Sequence, residues 1–250
     1  MKRILLALST LLFAFSGFSQ RYDPSADIDP TTYTIGVTYT PSFNYRTYRV
    51  TDKTNAFQTF LKEQNDSLNG IMPMSNFGLS MVFELSQSFS LEVGANVGDR
   101  GYRTSKNVQP NNLINYTKQI VKFRYVNIPI KARIYLNQGP TQFYASFGAS
   151  AGLRTTAKTI NEISNNTQNS SAPFVQKKVR QEVNYRDDNL NRFNASAIIG
   201  FGFRTYIGKR GVLNFEPNFN RSVLNLNKDE EYKIRLYQIG MTIGYSIELN

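Results

Sequence analysis

The sequence contains no cysteine and no histidine among its 250 residues. Without cysteine the chain can form no disulfide and offers no thiol nucleophile. Without histidine it excludes Ser-His-Asp triads and histidine bases, and it lacks the ligand on which most zinc and transition-metal sites depend. We therefore expect a protein that is not an enzyme and that binds no metal and no cofactor.

Long hydrophobic runs are also missing, except at the N-terminus. Residues 4–18 form an apolar run behind Lys2 and Arg3, and the small residues Gly17 and Ser19 stand just before Gln20. This pattern predicts a secretory signal peptide over residues 1–19, with an uncleaved helical anchor as the alternative. No later run approaches the ~20 residues that a membrane-spanning helix needs. The protein is therefore expected to leave the cytoplasm.

The charge is basic but scattered. The formal net charge is +11, of which Lys2 and Arg3 in the predicted signal account for two. The dense basic run is "QKKVR" (176–180), which lies in a polar segment and indicates solvated loop charge. We expect no nucleic acid partner. A basic surface near anionic lipid headgroups is the better functional interpretation.

Strict alternation of apolar and polar residues is what the sequence has in abundance. In "YQIGMTIGYSIEL" (237–249), every second residue is apolar and the residues between are small or polar. A period of two indicates a β-strand with one apolar and one polar face. Seven further segments show the same period, near residues 33–45, 74–85, 89–102, 118–136, 142–155, 193–207 and 212–223.

The connections between these segments alternate in length. Short turns at "SQS", "NQGP" and "GKRG" separate long polar stretches, among them 46–72 and an irregular stretch near 156–190. This order is typical of an all-β, eight-stranded antiparallel up-and-down transmembrane β-barrel, with long loops outside the cell and short turns in the periplasm. We expect residues 20–32 to form a periplasmic N-terminal segment and residues 33–250 to form one barrel domain.

The composition of the two faces decides which of them meets water. The polar stripes are rich in Gly, Ser, Asn and Thr, as suits the narrow interior of an eight-stranded barrel. The apolar stripes are almost free of charge, and aromatic residues recur toward their ends, which is typical of a membrane girdle. The members of this expected girdle include Tyr33, Phe43, Phe143, Phe193 and Tyr245. We therefore expect apolar faces turned to the lipid of an outer membrane, with a secreted lipocalin-like carrier as the alternative.

The polar stripes also place charged residues in the expected lumen, where an unpaired charge is costly. They are Glu84, Glu92, Lys131, Arg133, Arg154, Arg204, Glu216 and Glu248. We predict a structural salt-bridged plug in which Glu84, Glu92 and Glu216 face Lys131, Arg133 and Arg204. A small porin with a narrow, gated channel is the alternative. Pro129 and Pro217 cannot donate to a ladder, so each is expected at a bulge or near a strand end.

Several stretches resemble the outer-membrane β-barrel family typified by PorT, and more loosely the small OmpA-type barrels. They are "GFSQ" at the signal end, "YVNIPIKARIYL", "FYASFGASAGL", "IIGFGFRTYIG" and the closing "YQIGMTIGYSIEL". The resemblance implies an eight-stranded barrel in the outer membrane of a Gram-negative cell, with a structural, surface-interaction or secretion-accessory role. The chain departs from the usual outer-membrane ending because it closes on "IELN" instead of an aromatic residue.

The expected partners follow from this location. Outer-membrane lipid and lipopolysaccharide surround the barrel wall of such a protein. The long loops 46–72 and 156–190 are large enough to contact protein partners outside the cell.

Overall fold

The computed structural model describes residues 32–51, 59, 63, 69–104, 107–108, 116–167, 175–184, 190–228 and 232–249. The predicted signal peptide and nearly all of the predicted segment 20–32 lie outside these residues and stay predictions. Within the described ranges, no helix is long and apolar enough to cross a membrane.

Eleven strands form one sheet in the described part of the chain. They are β1 (Tyr33–Val50), β2 (Asn69–Gly70), β3 (Met72–Ser86), β4 (Phe89–Thr104), β5 (Asn107–Val108), β6 (Tyr116–Tyr135), β7 (Thr141–Thr167), β8 (Val175–Asn184), β9 (Phe193–Ile207), β10 (Gly211–Ser222) and β11 (Tyr232–Leu249). The eight long strands correspond to the eight predicted segments. The shorter β2, β5 and β8 pair with β4, β6 and β7.

The sheet closes into a ring. Each long strand pairs antiparallel with the next long strand in the chain, and β1 also pairs with β11. Tyr33 lies opposite Leu249 at one end of this closing pair, and Val50 lies opposite Tyr232 at the other. Closure satisfies the backbone groups that an open edge would leave bare in lipid. The predicted eight-stranded antiparallel barrel is confirmed.

The two faces of the wall are polarised as the sequence predicts. Apolar side chains at alternate positions are exposed on the outside, for example Phe77 at 62% and Leu79 at 61%. The positions between them are buried and polar, among them Ser90, Glu92 and Asn127. The lipocalin-like carrier, which requires an apolar interior, is therefore the wrong interpretation.

The polarity of the wall reverses toward the end that carries the long connections. On β6, Val126 and Ile128 face outward, whereas Val121, Phe123 and Tyr125 are buried inside. These three pack with Leu226, Ile234 and Leu236 in one apolar cluster. An apolar interior with a polar exterior is the pattern of a barrel surrounded by water. The reversal therefore marks the level where the strands leave the membrane, and we call the cluster the outer cap.

The predicted irregular stretch 156–190 is wrong in its larger part. β7 continues to Thr167 and forms a hairpin with β8, in which Lys158 lies opposite Asn184 and Thr167 opposite Val175. Most residues of these two strands are polar in the sequence, so the strands carry no sustained period-two hydrophobic signal. Similarly, three parts of the predicted loop 46–72 belong to strands: residues 46–50 to β1, 69–70 to β2 and Met72 to β3.

The expectation for the prolines is also wrong. Pro129 and Pro217 lie in the middle of β6 and β10, and the register on either side of each is unshifted. Because proline has no N–H, the pairing with one neighbouring strand is interrupted over two residues. The interrupted pairing is β6 with β4 at Pro129 and β10 with β9 at Pro217. Long ladders hold the register, so the loss of one bond needs no bulge.

Candidate functional site: the charged lumen

The lumen near the short turns is filled by an ion pair enclosed by aromatic rings. Arg204 of β9 crosses the barrel to form a salt bridge with Glu84 of β3. Its Nε donates to Gln142 Oε1 at 2.5 Å, and its guanidinium lies 4.1 Å from the centre of the Tyr135 ring. Ser90 Oγ and the Tyr135 hydroxyl are 2.9 Å apart. All these side chains are buried, so the periplasmic end of the lumen is occupied by protein.

A second charged group fills the middle of the lumen. Lys131 Nζ lies 2.9 Å from Glu92 Oε2 and donates to Glu216 Oε1 at 2.8 Å. Arg133 donates to the same Glu92 oxygen through Nε at 2.9 Å and Nη2 at 2.5 Å. Two carboxylates and two cations make this group neutral, which is what burial in a narrow polar interior requires. Glu92 and Lys131 face each other on adjacent strands, whereas Glu216 reaches them from β10.

One glycine makes room for this arrangement. A Cβ on Gly200 would stand 2.7 Å from Ser146 Oγ and 3.1 Å from Glu216 Cγ. Glu216 therefore lies against the β9 backbone at a position where a larger residue would collide with it.

Above the charged groups lies a small polar cavity of about 60 Å³. Thr38, Asn96, Gln238 and Thr242 are among its lining residues, together with Lys131 and Glu216. This volume is large enough to hold a few water molecules.

The six residues of the predicted plug are thus all buried in the lumen and lie in the two groups just described. The structure brings Glu92 and Glu216 together through Lys131, and it keeps Glu84 with Arg204. Two other predicted lumen residues lie apart from both groups. Arg154 is at the outer end, where it donates to the Leu190 carbonyl at 3.3 Å, and Glu248 is half-buried beside the short turns.

Two features of the lumen were missed from the sequence. Arg100 continues the inward stripe of β4, is only 3% exposed, and donates to Ser196 Oγ at 2.8 Å. Extending the stripe Ser90, Glu92, Gly94, Asn96, Gly98 by one more step would have found it. The outer cap was missed as well, because the apolar stripe changes phase between Tyr125 and Val126.

The geometry is that of a membrane barrel whose interior is packed with its own side chains, and the family comparison agrees. The pattern of the outer membrane protein beta-barrel domain family matches residues 18–228. The chain belongs to this family. The protein is therefore a β-barrel of the outer membrane of a Gram-negative bacterium.

Solved structures with similar folds include three outer-membrane barrels. The attachment invasion locus protein Ail of Yersinia pestis is 12% identical with a TM-score of 0.36, covering 86% of this chain and 98% of Ail. The N-terminal barrel of OprF from Pseudomonas aeruginosa is 11% identical, with a TM-score of 0.29 and coverage of 84% and 97%. The outer membrane protease OmpT of Escherichia coli is 8% identical, with a TM-score of 0.42 and coverage of 91% and 100%. The comparison with curated proteins finds no match.

Proposed function

We propose that the protein is a sealed, non-enzymatic outer-membrane barrel that serves as a rigid support for an interaction surface outside the cell. The packing of the lumen carries this proposal. The Glu84–Arg204 pair, the Glu92–Lys131–Arg133–Glu216 group and the outer cap occupy three successive levels of the interior. Each level contains buried side chains, which supports a structural role for the plug.

The outer part of the barrel supplies the surface. β7 and β8 form a hairpin that extends beyond the level of the outer cap, since Ala157 of β7 still packs against the cap and the strand runs on to Thr167. The two strands of this hairpin are paired, so its backbone is already ordered and binding a partner costs little conformational entropy.

Planar-bilayer recording tests the sealed lumen. The purified barrel is expected to insert without a steady ionic current, while a general porin in the same membrane conducts. A persistent current from the wild-type protein would favour the narrow-channel alternative and overturn the sealed barrel.

The resemblance to PorT-like barrels supports a narrower form of this role, an accessory function in protein secretion. Deleting the gene is expected to lower the amount of exported protein in the medium. The full barrel should restore it, and a barrel whose residues 160–182 are replaced by a short turn should insert normally but fail to restore it. Unchanged secretion in the deletion strain contradicts the accessory role and leaves the sealed barrel untouched.

A further inference from the structure

The outer wall carries an apolar groove on the line where β1 meets β11. Pro41 breaks the pairing there: within β1, Thr40 and Pro41 have no partner on β11, whereas Tyr39 and Ser42 on either side do. Pro41 and its cross-strand partner Ser75 of β3 have small side chains and form the floor of the groove. Larger side chains surround them. The groove measures about 570 Å³, and its walls include Tyr39, Phe43, Ile239 and Met241. It lies on the lipid-facing side of the barrel.

An aromatic pair stands directly above this groove, toward the outer end. Tyr45 and Tyr237 are cross-strand partners one outward position beyond Phe43 and Ile239. Their rings stack at a centroid distance of 5.1 Å, and Phe219 lies 6.0 Å from Tyr237. Tyrosine at this height is typical of the interface between acyl chains and headgroups.

A cluster of cations follows at the next level, and we call it the rim cluster: Arg49, Arg221, Lys233 and Arg235. Arg49 lies opposite Lys233, and Arg235 lies opposite Thr47. The Arg221 guanidinium lies 5.5 Å from the centre of the Tyr237 ring. All four belong to the outward-facing stripe of their strands, just beyond the point where the wall reverses its polarity.

The rim cluster differs from two other outward cations of the same end, which are paired with carboxylates. Arg124 Nε lies 2.8 Å from Asp99 Oδ1. Lys118 Nζ lies 3.6 Å from Glu162 Oε2. Across the described ranges, no carboxylate lies within ion-pair distance of the rim cluster, and Arg235 donates instead to Asn225 Oδ1 at 3.2 Å. The acidic run Asp229–Glu231 precedes Tyr232 in the sequence and lies outside the described residues. The cluster is therefore positioned to bind an anion at headgroup height.

We propose that the strip of outer wall from the groove to the rim cluster binds one phosphorylated glycolipid of the outer leaflet. The lipid proposed has the chemistry of lipid A. An acyl chain lies in the groove beside Pro41 and Ser75. The sugar backbone rests on Tyr45 and Tyr237, and a phosphate meets Arg221 and Arg235, with Arg49 and Lys233 beyond them. The groove, the tyrosine pair and the rim cluster follow one another along β1 and β11, with Arg221 on the neighbouring β10. This is the order of acyl chain, sugar and phosphate in such a lipid. The site goes beyond the proposed function and does not depend on whether the lumen conducts.

Native mass spectrometry of the purified protein in a maltoside detergent tests the proposal, with bisphosphorylated lipid A and its dephosphorylated form as probes. The variant Arg221→Ala/Arg235→Ala removes two cations, each worth roughly one kcal/mol of attraction to an anionic lipid, so affinity should fall roughly 30-fold. The matched control Arg103→Ala/Lys122→Ala removes two outward cations of the outer end on β4 and β6, away from the groove, and should bind like the wild type. Dephosphorylated lipid A should bind wild type and variant equally weakly.

The groove is tested separately by filling it. Ser75→Trp should weaken binding of bisphosphorylated lipid A, whereas Ala95→Trp, at an exposed outward position on β4 outside the groove, should not. Gel mobility of unheated samples verifies that each variant is folded. If Arg221→Ala/Arg235→Ala binds as tightly as the wild type, or if both double variants lose affinity equally, the site is refuted. Equal binding by Ser75→Trp and the wild type would remove the groove from the proposal.

Discussion

Replacing Lys131 with methionine removes the ammonium group that joins Glu92 to Glu216 in the middle of the lumen. Glu92 keeps Arg133, which donates to it twice. Glu216 loses its charge partner, because its Oε1 accepts from Lys131 and its Oε2 has no hydrogen-bond partner among the residues that the structure describes. Removing one member of a buried ion pair costs about 3–5 kcal/mol, since the other charge is left uncompensated. With Glu92 still paired, we expect about 3 kcal/mol, the lower end of this range.

A second substitution separates this cause from a simple packing defect. In Lys131→Met/Glu216→Gln the orphaned charge is gone, so the double variant should be only about 1 kcal/mol less stable than the wild type. Lys209→Met, at an exposed lysine in the turn between β9 and β10, is the control and should change stability by less than about 0.5 kcal/mol.

Reversible urea unfolding in phospholipid vesicles measures these free energies. The chain has no tryptophan, so far-UV circular dichroism and the mobility shift of unheated samples on gels replace intrinsic tryptophan fluorescence. A Lys131→Met variant within about 1 kcal/mol of the wild type would refute the plug as a source of stability. A double variant as unstable as the single one would show that lost packing, and not the charge of Glu216, is responsible.

Three further predictions use the same unfolding assay. Leu79→Lys puts a charge in the middle of the lipid-facing band and should lower the free energy of unfolding by about 2–4 kcal/mol. Thr47→Lys, above the band, should lower it by only about 0–1 kcal/mol. Equal losses would show that the lipid-facing band is not centred near Leu79. Arg100→Met should be neutral or stabilising, because Arg100 is buried without a carboxylate partner in the described part of the chain. A loss of more than about 2 kcal/mol in the free energy of unfolding would show that this guanidinium makes a favourable contact. Gly148→Val should cost about 1–3 kcal/mol, because a Cβ there would stand 2.1 Å from the Ile130 carbonyl oxygen, and a stable variant would show that β6 and β7 can separate locally.

The strands and the orientation of their faces could be predicted because one simple period runs through all eight segments. Lipid demands an apolar residue at each outward position, which is every second residue of a strand, so the pattern continues over ten or more residues. Most of the lumen residues follow from the same period, since they lie between two outward apolar neighbours. Glu92 between Leu91 and Val93 is an example.

The parts that could not be predicted are those where lipid no longer dictates the pattern. Beyond the membrane, the sequence of the β7–β8 hairpin is mostly polar, and the outer cap reverses the phase of the apolar stripe on β6 and β11. The pairing of charges also depends on how the barrel closes. Glu84 and Arg204 are 120 residues apart, and only the register of the ring places them across from each other.

The direction of side chains along β11 is the most direct test of the whole account. The chain has no native cysteine, so Met241→Cys, Thr242→Cys and Ile243→Cys can each carry a single nitroxide label. In lipid vesicles, electron paramagnetic resonance should show high accessibility to dissolved oxygen at 241 and 243, which face the acyl chains, and low accessibility at 242, which lines the lumen cavity. High oxygen accessibility at 242 with low values at 241 and 243 would contradict an apolar exterior around a polar, plugged interior.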